Sequence, residues 1–163
     1  MRVAWVSGSR SAVPPAAPRS RTARGRTRPP RPSGSREVGA GEFFVGLFET
    51  ALEPEELLTE IRIPKPLAPG WSFQKFTKRA IDWAIVGVAA QGDRVALVNM
   101  ASTPMRAAAV EQALAGGASL EEAAAHAAEG TSPVSDINAG AAYREHLARV
   151  LVARALTEAA TRS

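Results

Sequence analysis

The 163-residue chain is long enough for one domain with an appendage, has no cysteine, and carries a formal charge of +4 that is unevenly spread. Nine of its twenty basic residues, all arginine, lie in residues 1–37 against a single acid, Glu37, which leaves eleven basic and fifteen acidic residues from Val38 onward. The isoelectric point near 10.3 therefore describes the tail, the acidic body gives no argument for nucleic acid, and the missing cysteines exclude disulfides, thiolate metal sites and iron–sulfur ligation by this chain.

No apolar run approaches the roughly 18 residues of a membrane-spanning helix. Arg10 and the prolines near the start also break any signal-peptide core. A soluble, cytoplasmic protein with no membrane partner is expected.

Residues 1–37 are rich in Arg, Pro, Ser and Gly, with almost no branched apolar side chains after Val13. They predict a disordered basic tail, because too little surface is available for burial to offset ordering entropy. An Arg-rich arm that grips phosphates is the sharper reading, but no aromatic lies between Trp5 and Phe43 on which a base could stack. Order is expected from about Gly41. Glu42 to Phe48 form an apolar cluster around Gly46, read as a short helix or turn plugging into a core, and Pro54 with Glu55 and Glu56 marks a turn. Leu57, Thr59, Ile61 and Ile63 then alternate with Leu58, Glu60 and Arg62 in a strand closed by Pro64. Leu58 is an apolar residue on the otherwise polar face of that strand. The run from Lys65 to Gly70 reads as a linker between two structural units.

The second unit opens at Trp71. Ser72 to Lys78 predict a strand with Phe73, Lys75 and Thr77 on one face and Gln74 and Phe76 on the other. Lys78, Arg79 and Asp82 make a charged corner beside Trp83, either a solvated sheet end or the border of a bound anionic, planar cofactor. Trp83 to Ala90 are apolar on both faces, which predicts a strand covered on both sides, with Gly87 marking close approach of a backbone or ligand. Gln91 to Asp93 suit a hairpin loop, and Val95 to Val98 the return strand. Thr103 is placed as the N-cap, with Pro104 at the first position, of a helix stopped by Gly116 and Gly117. Ser119 and Glu122 have capping-box spacing and open an Ala-rich helix to Gly130. A last helix runs from about Gly140 to Ala160, with Tyr143, Leu147, Val150 and Leu151 on its buried stripe. The sum is an α+β fold: a small antiparallel sheet of three to four strands packed with a three-helix C-terminal bundle and preceded by the basic tail.

The catalytic inventory is thin. His126 and His146 lack further ligands at metal spacing, no nucleophile motif is present, and neither a G-x-G-x-x-G nor a Walker-type loop occurs. No complete active site is expected in this chain.

The segments EFFVGLFETALEPEELLTEIRIP (42–64), FQKFTKRAIDWAIVGVAA (73–90), TPMRAAAVEQAL (103–114) and YREHLARVLVARAL (143–156) occur in this order. Together they resemble the FAD-binding medium subunit of molybdenum hydroxylases, enzymes of the carbon monoxide dehydrogenase and xanthine dehydrogenase type. The resemblance implies a remnant of the FAD-binding domain at 38–65 and a C-terminal flavoprotein domain at 71–160. It also implies an oxidoreductase complex in which a molybdenum-cofactor large subunit oxidises substrate, an iron–sulfur small subunit relays electrons, and FAD passes them to an acceptor. Carried over residue by residue, it places Leu58 near the flavin ring and brings a first-strand side chain to the cofactor, either Lys75 or Gln74. The Gly-rich loops that hold the FAD pyrophosphate in such subunits have no counterpart in residues 1–36, where the Arg/Pro tail stands. The resemblance thus implies a truncated or frame-shifted copy, partial as an FAD subunit and deficient in FAD binding. The alternatives are a non-enzymatic module docking on oxidoreductase subunits and a basic-arm nucleic-acid binder.

Overall fold

The structure, a computed structural model, describes residues 34–63 and 70–162 together with the backbone of 2–8. The chain divides into two compact units, Met1–Pro64 and Lys65–Ser163.

The first unit contains β1 (Arg2–Gly8), β2 (Ser35–Gly39), a single helical turn α1 (Ala40–Phe43), a hairpin of β3 (Phe44–Gly46) and β4 (Glu49–Thr50), and β5 (Glu56–Arg62). The sheet order is β2-β1-β5, all antiparallel, with Val3 opposite both Val38 and Ile61. Arg2–Gly8 and Ser35–Glu37 are thus strand, where the sequence reading expected a disordered tail over 1–37. Val3, Trp5 and Val6 are strand-favouring residues whose signal is lost when composition is averaged over the whole Arg/Pro stretch. The remainder of the expected tail, at 9–33, and the linker expected from Lys65 lie largely outside the described residues.

Val38 and Phe43 form the core of this unit, with Ala40, Ala51 and Leu52 against them. Of the apolar cluster expected to plug into a core, only Phe43 is buried. Phe44, Val45, Leu47 and Phe48 are turned outward by the hairpin, with Phe48 at φ 60° in its turn. Arg36 clamps β2 to the start of β5: its Nε and Nη2 donate to the two Glu56 carboxylate oxygens at 2.9 and 2.8 Å, and Nη2 also donates to the Ala51 carbonyl.

The second unit is a four-stranded antiparallel sheet in chain order, β6 (Trp71–Phe76), β7 (Val86–Gln91), β8 (Arg94–Val98) and β9 (Met105–Arg106). Three helices follow: α2 (Ala108–Ala115), α3 (Leu120–Ala125) running into a 3-10 turn at His126–Ala128, and α4 (Ala141–Thr161). The α+β architecture expected from the sequence is the one observed. Period-two alternation sends Val86, Val88, Ala90, Val95 and Leu97 into one buried cluster with Val110, Ala123, Ala124 and the Leu147–Ala159 stripe of α4. The small alanines of α3 and α4 let these helices pack closely. The capping box of α3 is present, with the Ser119 hydroxyl accepting from the Glu122 N–H at 3.2 Å and Glu122 accepting from the Ser119 N–H at 2.9 Å.

Departures from the expected elements are local, and each has a tertiary cause. Met105–Arg106 pair with Ala96 and Leu97 as an edge strand, so α2 starts at Ala108 rather than at Thr103–Pro104. The Ala107 N–H donates to the Val95 carbonyl at 2.9 Å, and the Glu111 carboxylate accepts from the Val95 N–H at 2.8 Å. These long-range bonds replace the local cap. In α4 Leu147 and Leu151 are buried as expected and Val150 is half-buried, but Arg144 is buried in place of Tyr143, which is exposed with its ring edge-on to Phe76 at 6.4 Å. Trp83 and Ala84 precede β7 instead of belonging to it, in a loop closed where the Ile85 N–H donates to the Phe76 carbonyl at 2.8 Å.

Candidate functional site on the outer sheet face and charged corner

β6 divides its side chains between two environments. Ser72 and Gln74 face α4, where the Glu158 carboxylate accepts from the Ser72 hydroxyl at 2.6 Å and from the Gln74 amide at 2.5 Å. Arg162, which caps the C-terminus of α4, pairs with Glu158 and lies 5.1 Å from the centre of the Trp71 ring. Trp71, Phe73 and Lys75, on the opposite face, are exposed. The two positions left open by the sequence therefore differ in kind: Gln74 is committed to Glu158, whereas the Lys75 ammonium stands exposed beside Phe73.

Gly87 is the cross-strand partner of Lys75. A Cβ at Gly87 would stand 3.2 Å from Cβ of Val98, so the close neighbour here is a β8 side chain that would have to give by a few tenths of an ångström. Val86, Val88 and Ala90 are buried on the inner face, and on the outer face Gly87 is buried and Ala89 half-buried.

The loop after β6 forms one wall of a cavity of about 380 Å³, contributing Lys78, Arg79, Asp82 and Trp83; Asp136, Asn138 and Arg144 line another part. Arg144 organises the floor. Its Nη2 meets the Asp136 carboxylate at 2.7 Å, its Nη1 donates to the Ile85 carbonyl, and its buried Nε has no partner among the described residues. Asn99, at φ 63°, donates to the carbonyls of Ala84 and Ile85 at 2.9 and 3.2 Å and so pins the loop exit from the other side. Lys78 and Arg79 are exposed, and no ion pair satisfies either among the described residues. The arrangement can receive an anionic group; it contains no nucleophile with an adjacent base.

Two carboxylates here are held below their ordinary values. For Asp136, ordinarily 3.8, the backbone N–H groups of Asn138 and Ala139 act first and the Arg144 charge adds to them. For Glu158, ordinarily 4.5, the Ser72 hydroxyl acts first, helped by Arg162 and Gln74. A carboxylate whose folded pKa is lowered contributes stability above its unfolded pKa, and that contribution is lost as pH falls through the folded value. The melting temperature should therefore hold from neutrality to about pH 5 and drop below about pH 4. Glu158→Gln should make that acid limb shallower; a limb as steep as wild type in a melting series would contradict the assignment.

Other residues singled out by sequence lie elsewhere. Leu58 belongs to β5 in the first unit and is the least exposed of the large apolar residues of that strand, at 37 % against 71 % for Leu57 and 54 % for Ile61. His126 pairs with Glu129 at 2.6 Å on the surface, and no cluster of three metal-ligating side chains occurs among the described residues. Sequence reasoning missed Arg144, Asp136 and Asn99. The available signal was the i, i+4 spacing of Arg144 with the small Ala148 on α4, which places the arginine on the buried stripe.

This fold, an antiparallel sheet followed by three helices with a cation-bearing outer face and corner, is that of a flavoprotein subunit's C-terminal domain. Residues 71–159 match the family model for the CO dehydrogenase flavoprotein C-terminal domain, and the chain belongs to that family. It is 35 % identical over 146 residues to the carbon monoxide dehydrogenase medium chain of Afipia carboxidovorans, a match covering 81 % of this chain and 51 % of the relative. It is 34 % identical to the caffeine dehydrogenase subunit beta of a Pseudomonas species, covering 79 % and 48 %. Among solved structures, the carbon monoxide dehydrogenase of Hydrogenophaga pseudoflava that lacks the Mo-pyranopterin moiety superposes with a TM-score of 0.72 at 37 % identity, over 80 % of this chain and 50 % of the other. Quinoline 2-oxidoreductase of Pseudomonas putida 86 gives a TM-score of 0.69 at 32 % identity, over 78 % and 49 %. The chain spans about half the length of the curated relatives it matches.

Proposed function

We propose that this chain acts as part of the FAD-binding subunit of a cytoplasmic molybdenum hydroxylase, carrying the flavin-ring side of the cofactor site and docking on a molybdenum-cofactor large subunit and an iron–sulfur small subunit. The observation that carries the reading is the family match over 71–159 together with the state of β6, where Lys75 is exposed beside Phe73 while Gln74 is tied to Glu158. FAD, when bound, would take electrons from the iron–sulfur subunit and release them to an acceptor. An ammonium next to aromatic surface suits the electron-rich carbonyl edge of a flavin, and its charge favours the anionic reduced form. Lys75 is therefore the first-strand residue assigned to the cofactor, and Leu58 the apolar residue beside the ring. The FAD pyrophosphate needs convergent N–H donors, and residues 34–162 offer no Gly-rich loop to supply them. Residues 34–162 by themselves are accordingly expected to bind FAD weakly.

Co-expression with the large and small subunits of such an enzyme, followed by purification through a tag on this chain, tests the assignment. A ternary complex with molybdenum and iron–sulfur absorbance is expected; recovery of the chain free of both subunits would defeat it.

A further inference from the structure

β6 is amphipathic in the reverse of the usual sense. Alternation places Trp71, Phe73 and Lys75 on one face and Ser72, Gln74 and Phe76 on the other. Turning the two aromatic rings toward the helices would remove more apolar surface from water, yet Trp71 and Phe73 are 55 % and 54 % exposed while Ser72 is 2 % exposed. At the far end of the strand Phe76 favours the observed arrangement by packing against the core. At the near end the arrangement rests on a polar contact with α4. Glu158 uses both carboxylate oxygens there: Oε2 accepts from the Ser72 hydroxyl at 2.6 Å and the Gln74 amide at 2.5 Å, and Oε1 pairs with Arg162, whose Nη1 donates to the Trp71 carbonyl at 3.3 Å. The Gln74 amide also donates to the Ser72 hydroxyl at 3.2 Å, so the donors are tied to each other as well as to Glu158. Hydrogen bonds of this kind fix direction, which apolar contact does not.

On the outer face Lys75 stands opposite Gly87, which has no side chain to hold it, and it has no ion-pair partner among the described residues. Its place is therefore set by the β6 backbone, which the ladder to β7 holds on one side and Glu158 holds from beneath. We infer that Glu158 is a positioning residue for flavin: by tying Ser72 and Gln74 to α4 it keeps Phe73 and Lys75 turned outward and holds the Lys75 ammonium ready for the ring. The inference rests on the assignment of Lys75 to the flavin made above, and adds the residue on the opposite face through which that assignment works. A binding group fixed from behind gives up less freedom when its ligand arrives, so the network is expressed as affinity.

Riboflavin, titrated into the purified full chain and followed by flavin fluorescence, is the probe. Glu158→Ala should weaken its binding about tenfold, whereas Glu158→Gln, whose amide oxygen still accepts from Ser72 and Gln74, should stay within about threefold of wild type. Because Glu158 acts through Lys75, the Glu158→Ala/Lys75→Ala double variant should bind within about twofold of Lys75→Ala alone. Ser72→Ala removes one donor to Glu158 at a position too buried to touch a ligand on the outer face. It should weaken binding by about three- to fivefold, and it serves as the test if Glu158→Ala does not fold. Val110→Ala, a truncation in the core on α2, should lower the melting temperature yet leave binding within about twofold of wild type, which separates positioning from loss of stability. Wild-type affinity in Glu158→Ala and Ser72→Ala, additive losses in the double variant, or an equal loss in Val110→Ala overturns this inference and leaves Lys75 assigned. Wild-type affinity in Lys75→Ala, or no binding by the wild-type chain, removes the assignment of Lys75 and this inference with it.

Discussion

Replacing Arg144 by alanine is expected to destabilise the second unit by about 3 kcal/mol, lowering its melting temperature by roughly 10–20 °C in calorimetry. The side chain is almost wholly buried, and it ties α4 both to Asp136 and to the Ile85 carbonyl at the loop exit. Alanine removes those charge-assisted bonds and leaves a void where the guanidinium stood. Arg144→Met removes the same bonds but also the cost of keeping a charge out of water, and it fills the space. Methionine should therefore restore at least half of the loss. A loss below about 1 kcal/mol for alanine, or equal losses for the two variants, would mean that Arg144 does not hold the floor.

The second large effect separates two apolar residues that look alike in the sequence. Leu97 is fully buried in the middle of β8, facing the helices, and Leu97→Ala should cost about 3–4 kcal/mol through lost transfer energy and a residual cavity. Trp83 is the larger residue and sits in an equally apolar run, yet Trp83→Ala should change the stability of the free chain by less than about 0.5 kcal/mol, because its ring is almost entirely in water. Chemical denaturation of the two variants checks both values. A tryptophan substitution as costly as the leucine one would place Trp83 in the core.

The elements that local chemistry alone determines were legible in the sequence. The Ser119–Glu122 box, a hairpin loop expected at Gln91–Asp93 and observed as a turn at Gly92–Asp93, and the boundaries of α4 to within a residue all follow from residues within a few positions of each other. What was not legible depended on distant partners. An arginine defaults to the surface, and Arg144 is buried only because Asp136 and Ile85 come to meet it. A strand of branched residues reads as continuing back to Trp83, and it stops short because Asn99 and Arg144 bind the carbonyls at the loop exit. Which of Gln74 and Lys75 faces α4 could not be read from alternation, since a one-residue shift exchanges the faces. Gln74 is fixed there by Glu158, which lies 84 residues beyond it.

Titration of the purified chain with FAD and with riboflavin, followed by flavin fluorescence, tests the central claim most directly. If the chain carries the ring side of the site and lacks the pyrophosphate cradle, both ligands should bind weakly and within about tenfold of each other, a difference of no more than about 1.4 kcal/mol. Lys75→Ala should weaken both by about tenfold or more, the usual value of a hydrogen bond to a charged group. Stoichiometric FAD binding with riboflavin far weaker, or flavin binding indifferent to Lys75, would contradict the account.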